Sequence, residues 1–213
     1  MIRIQIIYDN TTIDRRLKAD WGFAAFIKAF DKNILFDTGA NSEILLANMR
    51  ALNIDPLSIS DVFISHCHFD HIGGLSAFLN KNNHVILHAP PSFRGVRNVK
   101  EVIYYSKPQE IAGHFYTSGE LENIEQSLAI ETKNGLVIIA GCSHPAMERI
   151  FTALSQFGII YGIAGGMHGF DHYQLFEGLQ MICPTHCTQH IAEIKKRFPD
   201  VTIEGGAGTV IEI

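Results

Sequence analysis

The chain has 213 residues, 46% of them hydrophobic, and a net charge of −5; that is enough apolar surface for a sizeable core and too much for a disordered segment. An acidic chain lacks the basic field that holds nucleic acid through its phosphates, so a nucleic-acid partner is not expected. The longest apolar stretch, FGIIYGIAGGM (157–167), is too short and glycine-rich to span a bilayer, and no membrane partner is expected either.

The first ten residues, MIRIQIIYDN, alternate as a strand does and lack the basic start and apolar run of a leader. A cytoplasmic location follows as an expectation, with the four cysteines (67, 142, 183, 187) reduced. No repeat, low-complexity tract or linker divides the chain, so one domain over 1–213 is expected. Strand-like runs occupy 2–8, 23–30 and 33–39, with a hairpin turn at Asp31-Lys32-Asn33. Apolar residues at 44, 45, 49 and 52 predict a helix within 41–54, capped by Asn41 or Ser42. A buried strand over 61–66 delivers a dense polar motif at its C-terminal end, and Gly73-Gly74 then permit a tight turn into a helix over 75–80. A strand at 84–90 follows.

Segment 91–126, with scattered Arg94, Arg97, Lys100 and Lys107, reads as a solvated loop in preference to a lid. Strands over 127–132 and 135–141 are joined by a hairpin at Lys133-Asn134, and a helix begins near Pro145 and runs to about Phe157. A strand over 158–165, a helix over 172–180, a strand over 181–185, a helix over 188–198 and strands over 201–205 and 209–213 complete the chain. Strands come first and strand–helix alternation takes over later. The expected fold class is α/β (mixed α+β), with two mixed sheets and helices packed outside.

The dense motif is SHCHFDHIGG (65–74), with three histidines and an aspartate between His66 and His71. Crowded imidazole and carboxylate are costly to desolvate, and a divalent ion offsets that cost because neutral histidine is the commonest metal ligand. In extended chain, residues two apart point the same way, so His66 and His68 reach one ion, and after the turn Asp70 and His71 address a second. Two neighbouring ions hold a bridging hydroxide and clamp the attacking and leaving oxygens of a substrate. The alternative, a closed structural zinc site, uses spaced Cys/His pairs in small domains and suits this chain less well. Further ligands are expected at three later strand ends, each with one histidine after an apolar run: IIAGCSHPAM (138–147), IAGGMHGF (163–170) and ICPTHCTQ (182–189).

ILFDTG followed by SHCHFDHIGGL resembles the metallo-β-lactamase superfamily. The likeness is closest to its branch of dihydropterin-methyl-ribofuranosylaminobenzene phosphate synthase-like metal-dependent hydrolases, through SGE (118–120), GCSHPA (141–146), GGMH (165–168) and HCTQ (186–189). The resemblance implies a four-layer αββα sandwich with a two-metal site along one edge, between the sheets. It implies His66, His68, Asp70 and His71 as metal ligands and His186 as the superfamily's last ligand histidine. This chain has Gly119-Glu120 where members carry a further histidine, and Gly141-Cys142 where they carry a bridging aspartate. His144 is therefore taken as the replacement ligand, with Cys142 the weaker candidate to bridge or approach the ions. Glu120 is either a carboxylate near the metals or an ordinary surface glutamate. Asp37 of DTG either orients a ligand histidine or closes a turn. His168 is read as a substrate contact or proton donor, against a packed loop histidine. Cys67 is expected to be buried filler, and Cys183 and Cys187 packing residues; His84, His88, His114, His172 and His190 receive no role.

The expected activity is metal-dependent hydrolysis of an ester, lactone, amide or phosphoester of a small molecule, with Asp70 positioning ion and hydroxide and His168 protonating the leaving group. Two divalent ions are the expected cofactor, zinc first and manganese or iron next. Two rivals stand beside it: a synthase-like transfer joining a pterin to a phosphorylated ribose-aniline, and a non-hydrolytic iron or redox protein.

Overall fold

The computed structural model describes residues 1–213 and divides into two compact units, residues 1–104 with 205–213, and residues 105–204. Each unit is built on one sheet.

In the first unit, strands β1 (Arg3–Tyr8), β2 (Ala24–Ala29) and β3 (Lys32–Phe36) form an antiparallel meander, followed by β4 (Asp61–Phe63), β5 (Ile86–Ala89) and β6 (Glu101–Tyr104), each parallel to its predecessor. The last strand of the chain, β13 (Val210–Glu212), returns to pair antiparallel with β1 and gives the order β13-β1-β2-β3-β4-β5-β6. Helix α1 (Ser42–Ala51) covers β1. Its first turn is closed by Asn41, whose side chain accepts from the amides of Glu43 and Ile44, as the sequence predicts. Leu45 and Met49 of α1 join Ile7, Leu35, Val62, Phe78 and Leu87 in one buried cluster. Asn48 lies buried on the same helix and is fully used: its amide donates to the carbonyls of Ile7 and Lys18 and its oxygen accepts from Lys18 N.

At the start of β4, buried Asp61 accepts from Lys32 Nζ (2.8 Å), His88 Nε2 (2.8 Å) and Ser60 Oγ (2.6 Å). Burial alone would raise this carboxyl; the bonds from His88, Lys32 and Ser60 outweigh it and bring the pKa down to about 2. His88 thus has a structural partner.

In the second unit the sheet order is β12-β11-β10-β9-β8-β7. Strands β7 (Gln109–Ala112), β8 (Phe115–Thr117), β9 (Leu128–Thr132) and β10 (Gly135–Ala140) run antiparallel, and β11 (Ile160–Gly166) and β12 (Met181–Thr185) continue parallel to β10. β10, GLVIIA, is buried along nearly its whole length, the unbroken apolar run expected of a central strand with parallel pairing. Helix α4 (Met147–Ser155) packs on β11 and α5 (Ile191–Arg197) on β12, enclosing Ile138, Ile150, Phe151, Ile163, Phe176, Ile182 and Ile194.

Several expectations are corrected. Segment 91–126 is no loop, since it carries β6, β7 and β8; these strands are only three or four residues long. The first hairpin turns at Phe30-Asp31, with Ala29 facing Lys32 and Phe30 at φ +54°. α4 begins two residues after Pro145. The predicted helix over 172–180 is one 3-10 turn, Tyr173–Phe176, and 201–205 is not a strand but makes a single bridge from Thr202 to Ile182. No helix is long and apolar enough to cross a membrane.

Candidate metal centre

The candidate ligands follow the C-terminal ends of parallel strands, where loops of an α/β sheet are free to carry chemistry. In the first unit the DTG loop after β3 and the histidine motif after β4 lock together through the backbone. Asp37 N donates to Phe63 O (2.8 Å), and Thr38 N and Oγ1 both donate to His71 O (2.7 and 2.9 Å). Gly73 has an ordinary helical backbone at φ −60°. Its requirement is space, because a Cβ there would stand 2.0 Å from Ala40 O. Asp70 and His71 lie on α2 (Phe69–Ile72), a single helical turn that continues into α3 (Leu75–Leu79).

Asp37, Ser65, His66 and His71 are completely buried. Asp37 Oδ1 accepts from Ser65 N (2.7 Å), and Oδ2 accepts from Ser65 Oγ (2.6 Å) and His71 Nδ1 (2.7 Å). The serine's only hydrogen is thereby committed, so its oxygen accepts from His66 Nδ1 at 2.9 Å. By this hydrogen-bond logic both rings donate from Nδ1 and turn Nε2 toward the other side chains of the cluster. The bonds to Asp37 fix the orientation of both rings, that of His71 directly and that of His66 through Ser65. The rings of His66 and His71 are 4.1 Å apart at their centroids, His66 Nε2 lies 3.0 Å from Nδ1 of the exposed His68, and Asp70 Oδ2 lies 3.8 Å from His71 Nε2. Imidazole lone pairs gathered beside a carboxylate are a donor set that fits zinc, manganese or iron. Cys67 is exposed, not buried filler, because it points away from its two histidine neighbours toward solvent.

In the second unit the donors sit on the loops after β10, β11 and β12. Ser143 (φ +58°), His168 (φ +45°) and His186 (φ +52°) are all left-handed, as is Asp37 (φ +52°) in the first unit. Non-glycine residues adopt this backbone at a cost, and such residues gather at functional loops. Cys142 Sγ and ring nitrogens of His144 and His168 lie within 4.8 Å of one another; so do Cys142 Sγ, a His186 ring nitrogen and Cys187 Sγ. The rings of His144 and His168 are 4.8 Å apart, with His144 half-buried and His168 exposed. Cys187 is half-buried beside these donors, whereas Cys183 is fully buried in β12.

The residue that organises this loop is Glu125, which the sequence does not advertise. Its fully buried carboxylate accepts four successive amides: Gly141 (3.1 Å), Cys142 (2.9 Å) and Ser143 (3.1 Å) on Oε1, and His144 (2.9 Å) on Oε2. Glu120, five residues earlier, is half-buried, donates its own amide to Tyr105 O (2.8 Å), and belongs to neither donor cluster of this unit.

The metallo-beta-lactamase superfamily model matches residues 22–125, the stretch holding both the DTG loop and the histidine motif. That match, and the fold likeness below, are to the metallo-β-lactamase superfamily that the motifs resemble. Among its relatives is a 7,8-dihydropterin-6-methyl-4-(β-D-ribofuranosyl)-aminobenzene-5′-phosphate synthase of Methanocaldococcus jannaschii, 29% identical over 76% of this chain and 77% of that protein. An uncharacterized protein of the same organism is 26% identical over 99% of this chain and 100% of its own. The fold is shared with a solved metal-dependent hydrolase of the β-lactamase superfamily, at a TM-score of 0.79 and 24% identity over 100% of this chain and 99% of that one.

Proposed function

We propose that the protein is a metal-dependent hydrolase acting on an ester, lactone, amide or phosphoester of a small molecule, with His66, His68, Asp70, His71, His144 and His186 as its metal ligands. The observation that carries this reading is the Asp37–Ser65 network, which engages Nδ1 of His66 and His71 and turns their Nε2 atoms toward His68 and Asp70, gathering four metal-ligating side chains at one place. Two bound divalent ions, zinc by donor chemistry, would supply Lewis acidity and lower the pKa of a water to near neutrality. The protein's own part is orientation. Asp37 holds the ring of His71 directly and that of His66 through Ser65, and Glu125 holds the loop bearing Cys142 and His144. Asp70 is assigned as ligand and positioning carboxylate. His168, whose ring is exposed beside His144, is assigned proton donation to the leaving group.

The archaeal synthase among the relatives favours one second reading, a transfer that joins a pterin to a phosphorylated ribose-aniline. The test strips the protein with a chelator, reloads it with zinc, manganese or iron, and assays phosphodiesters, carboxylic esters, lactones and β-lactams. We expect metal-dependent turnover of at least one class, lost in His71→Ala together with the metal. A metal-loaded protein inert toward every class yet active in the transfer would replace hydrolysis with the synthase reading. An iron-coloured protein inert in both assays would favour the redox rival.

A further inference from the structure

We propose that Cys142, His186 and Cys187 form a thiolate-containing cation site of the second unit, selective for a borderline-soft divalent ion such as zinc. This deepens the proposed function and rests on its reading that the chain binds metal; what it adds is Cys187 as a ligand and sulfur as the character of the site.

Three observations converge. The first is distance: the two Sγ atoms and a His186 ring nitrogen already lie within 4.8 Å of one another. In a tetrahedral zinc site with Zn–S of about 2.3 Å and Zn–N of about 2.0 Å, neighbouring donors stand roughly 3.5–3.8 Å apart. Small side-chain rotations therefore bring all three to one ion. The second is room made at a neighbour's expense. A Cβ on Gly166 would stand 2.7 Å from Cys187 Sγ, 2.4 Å from Gly141 O and 3.1 Å from Cys142 Cα. Only glycine at the end of β11 lets the Cys187 thiol and the Cys142 backbone approach as they do. The third is pre-organisation: Glu125 fixes the Cys142 amide, and the left-handed backbone of His186 (φ +52°) shapes the loop that carries both His186 and Cys187.

The contrast with the other two cysteines sharpens the assignment. Cys183 is sealed within β12, and Cys67 belongs to the first unit and is exposed. Cys187 is half-buried, open enough for an ion to arrive, and its Sγ lies 3.6 Å from Cys142 O, a weak contact that ligation would exchange for a metal bond. Binding one divalent ion to the two thiols releases two protons to solvent, and the resulting thiolates are neutralised by the ion they hold. Three protein donors leave a fourth coordination position, the pattern of catalytic zinc and not of closed structural sites.

The experiment titrates cobalt(II) into the reduced, metal-free full chain and reads the near-ultraviolet sulfur-to-cobalt charge-transfer band. We expect that band to appear, to fall by about half in Cys187→Ser and in Cys142→Ser, in proportion to the thiolates lost, and to persist in Cys67→Ser. Should a serine variant fail to fold, zinc protection of wild-type thiols against alkylation serves instead, with protection expected at 142 and 187 and none at 67. Cobalt bound with no charge-transfer band, or equal alkylation of all accessible thiols with and without zinc, would overturn the thiolate site and leave the hydrolase reading intact. No cobalt bound at all would overturn both. A Cys142–Cys187 disulfide in the metal-loaded protein would overturn the site as well.

Discussion

The two units hold their candidate ligands by different means. In the first, side chains orient side chains: one carboxylate, Asp37, sets the proton of His71 directly and that of His66 through Ser65. In the second, a side chain orients backbone: Glu125 receives four consecutive amides and shapes the loop from which Cys142 and His144 project. The first arrangement selects a tautomer, which tunes each ring as a ligand. The second selects a loop conformation and leaves the rings and thiols to settle around whatever they bind. The difference teaches that a histidine-rich centre can be made rigid where its donors are imidazole and carboxylate, and adaptable where soft donors enter.

Glu125→Ala should have the largest effect. It orphans four amides, three of them buried and each of those costing about 1–3 kcal/mol, so a loss of at least about 3 kcal/mol is expected, read as a lowered denaturation midpoint. A change of under about 1 kcal/mol would show that the loop does not depend on this carboxylate. His168→Gln is expected to lower turnover by about a hundredfold or more while leaving the metal content unchanged, the pattern of lost proton transfer. Loss of metal in that variant would move His168 into the ligand set. Asp37→Asn should weaken metal affinity by about 10–100-fold with secondary structure preserved, because the amide no longer fixes both rings. An unchanged affinity in Asp37→Asn would erase the contrast between the units.

The smallest effect tests the other end of β4. Asp61, held down to about 2 by its partners against the effect of burial, is charged in the folded state at pH values where the unfolded chain begins to protonate. Its folded-state value is depressed, so its contribution, about 2 kcal/mol, is complete above roughly pH 4 and lost as pH falls toward 2. Acid titration of stability should show that loss, and Asp61→Asn should flatten the curve in the same window. A variant curve parallel to wild type would assign the acid sensitivity elsewhere.

Legibility in the sequence follows the same division. The first unit's donors are readable because an extended chain and one helical turn place them within six residues, and because DTG precedes them by a strand and a helix. The histidines of the second unit are readable only as polar breaks after apolar runs, since β10, β11 and β12 bring them together from positions 144, 168 and 186. Glu125 is invisible because nothing in ENIEQSL distinguishes it from Glu122; only the folded chain delivers it to residues 141–144. The strands β6 to β8 escape notice because they are short and β6 and β7 half-exposed, so their alternation is too weak to register. The helix expected at 172–180 stops at Phe176, because Glu177 is already extended (φ −61°, ψ 127°) and Gly178 follows it at φ +89°.

Elemental analysis of the purified protein, beside His66→Ala prepared identically, tests the central claim most directly. The account predicts close to two equivalents of zinc, manganese or iron per chain in the wild type, as a two-ion hydrolytic centre requires, and a clear fall in the variant. A wild-type chain that stays folded and holds no transition metal even after dialysis against each of the three would contradict it.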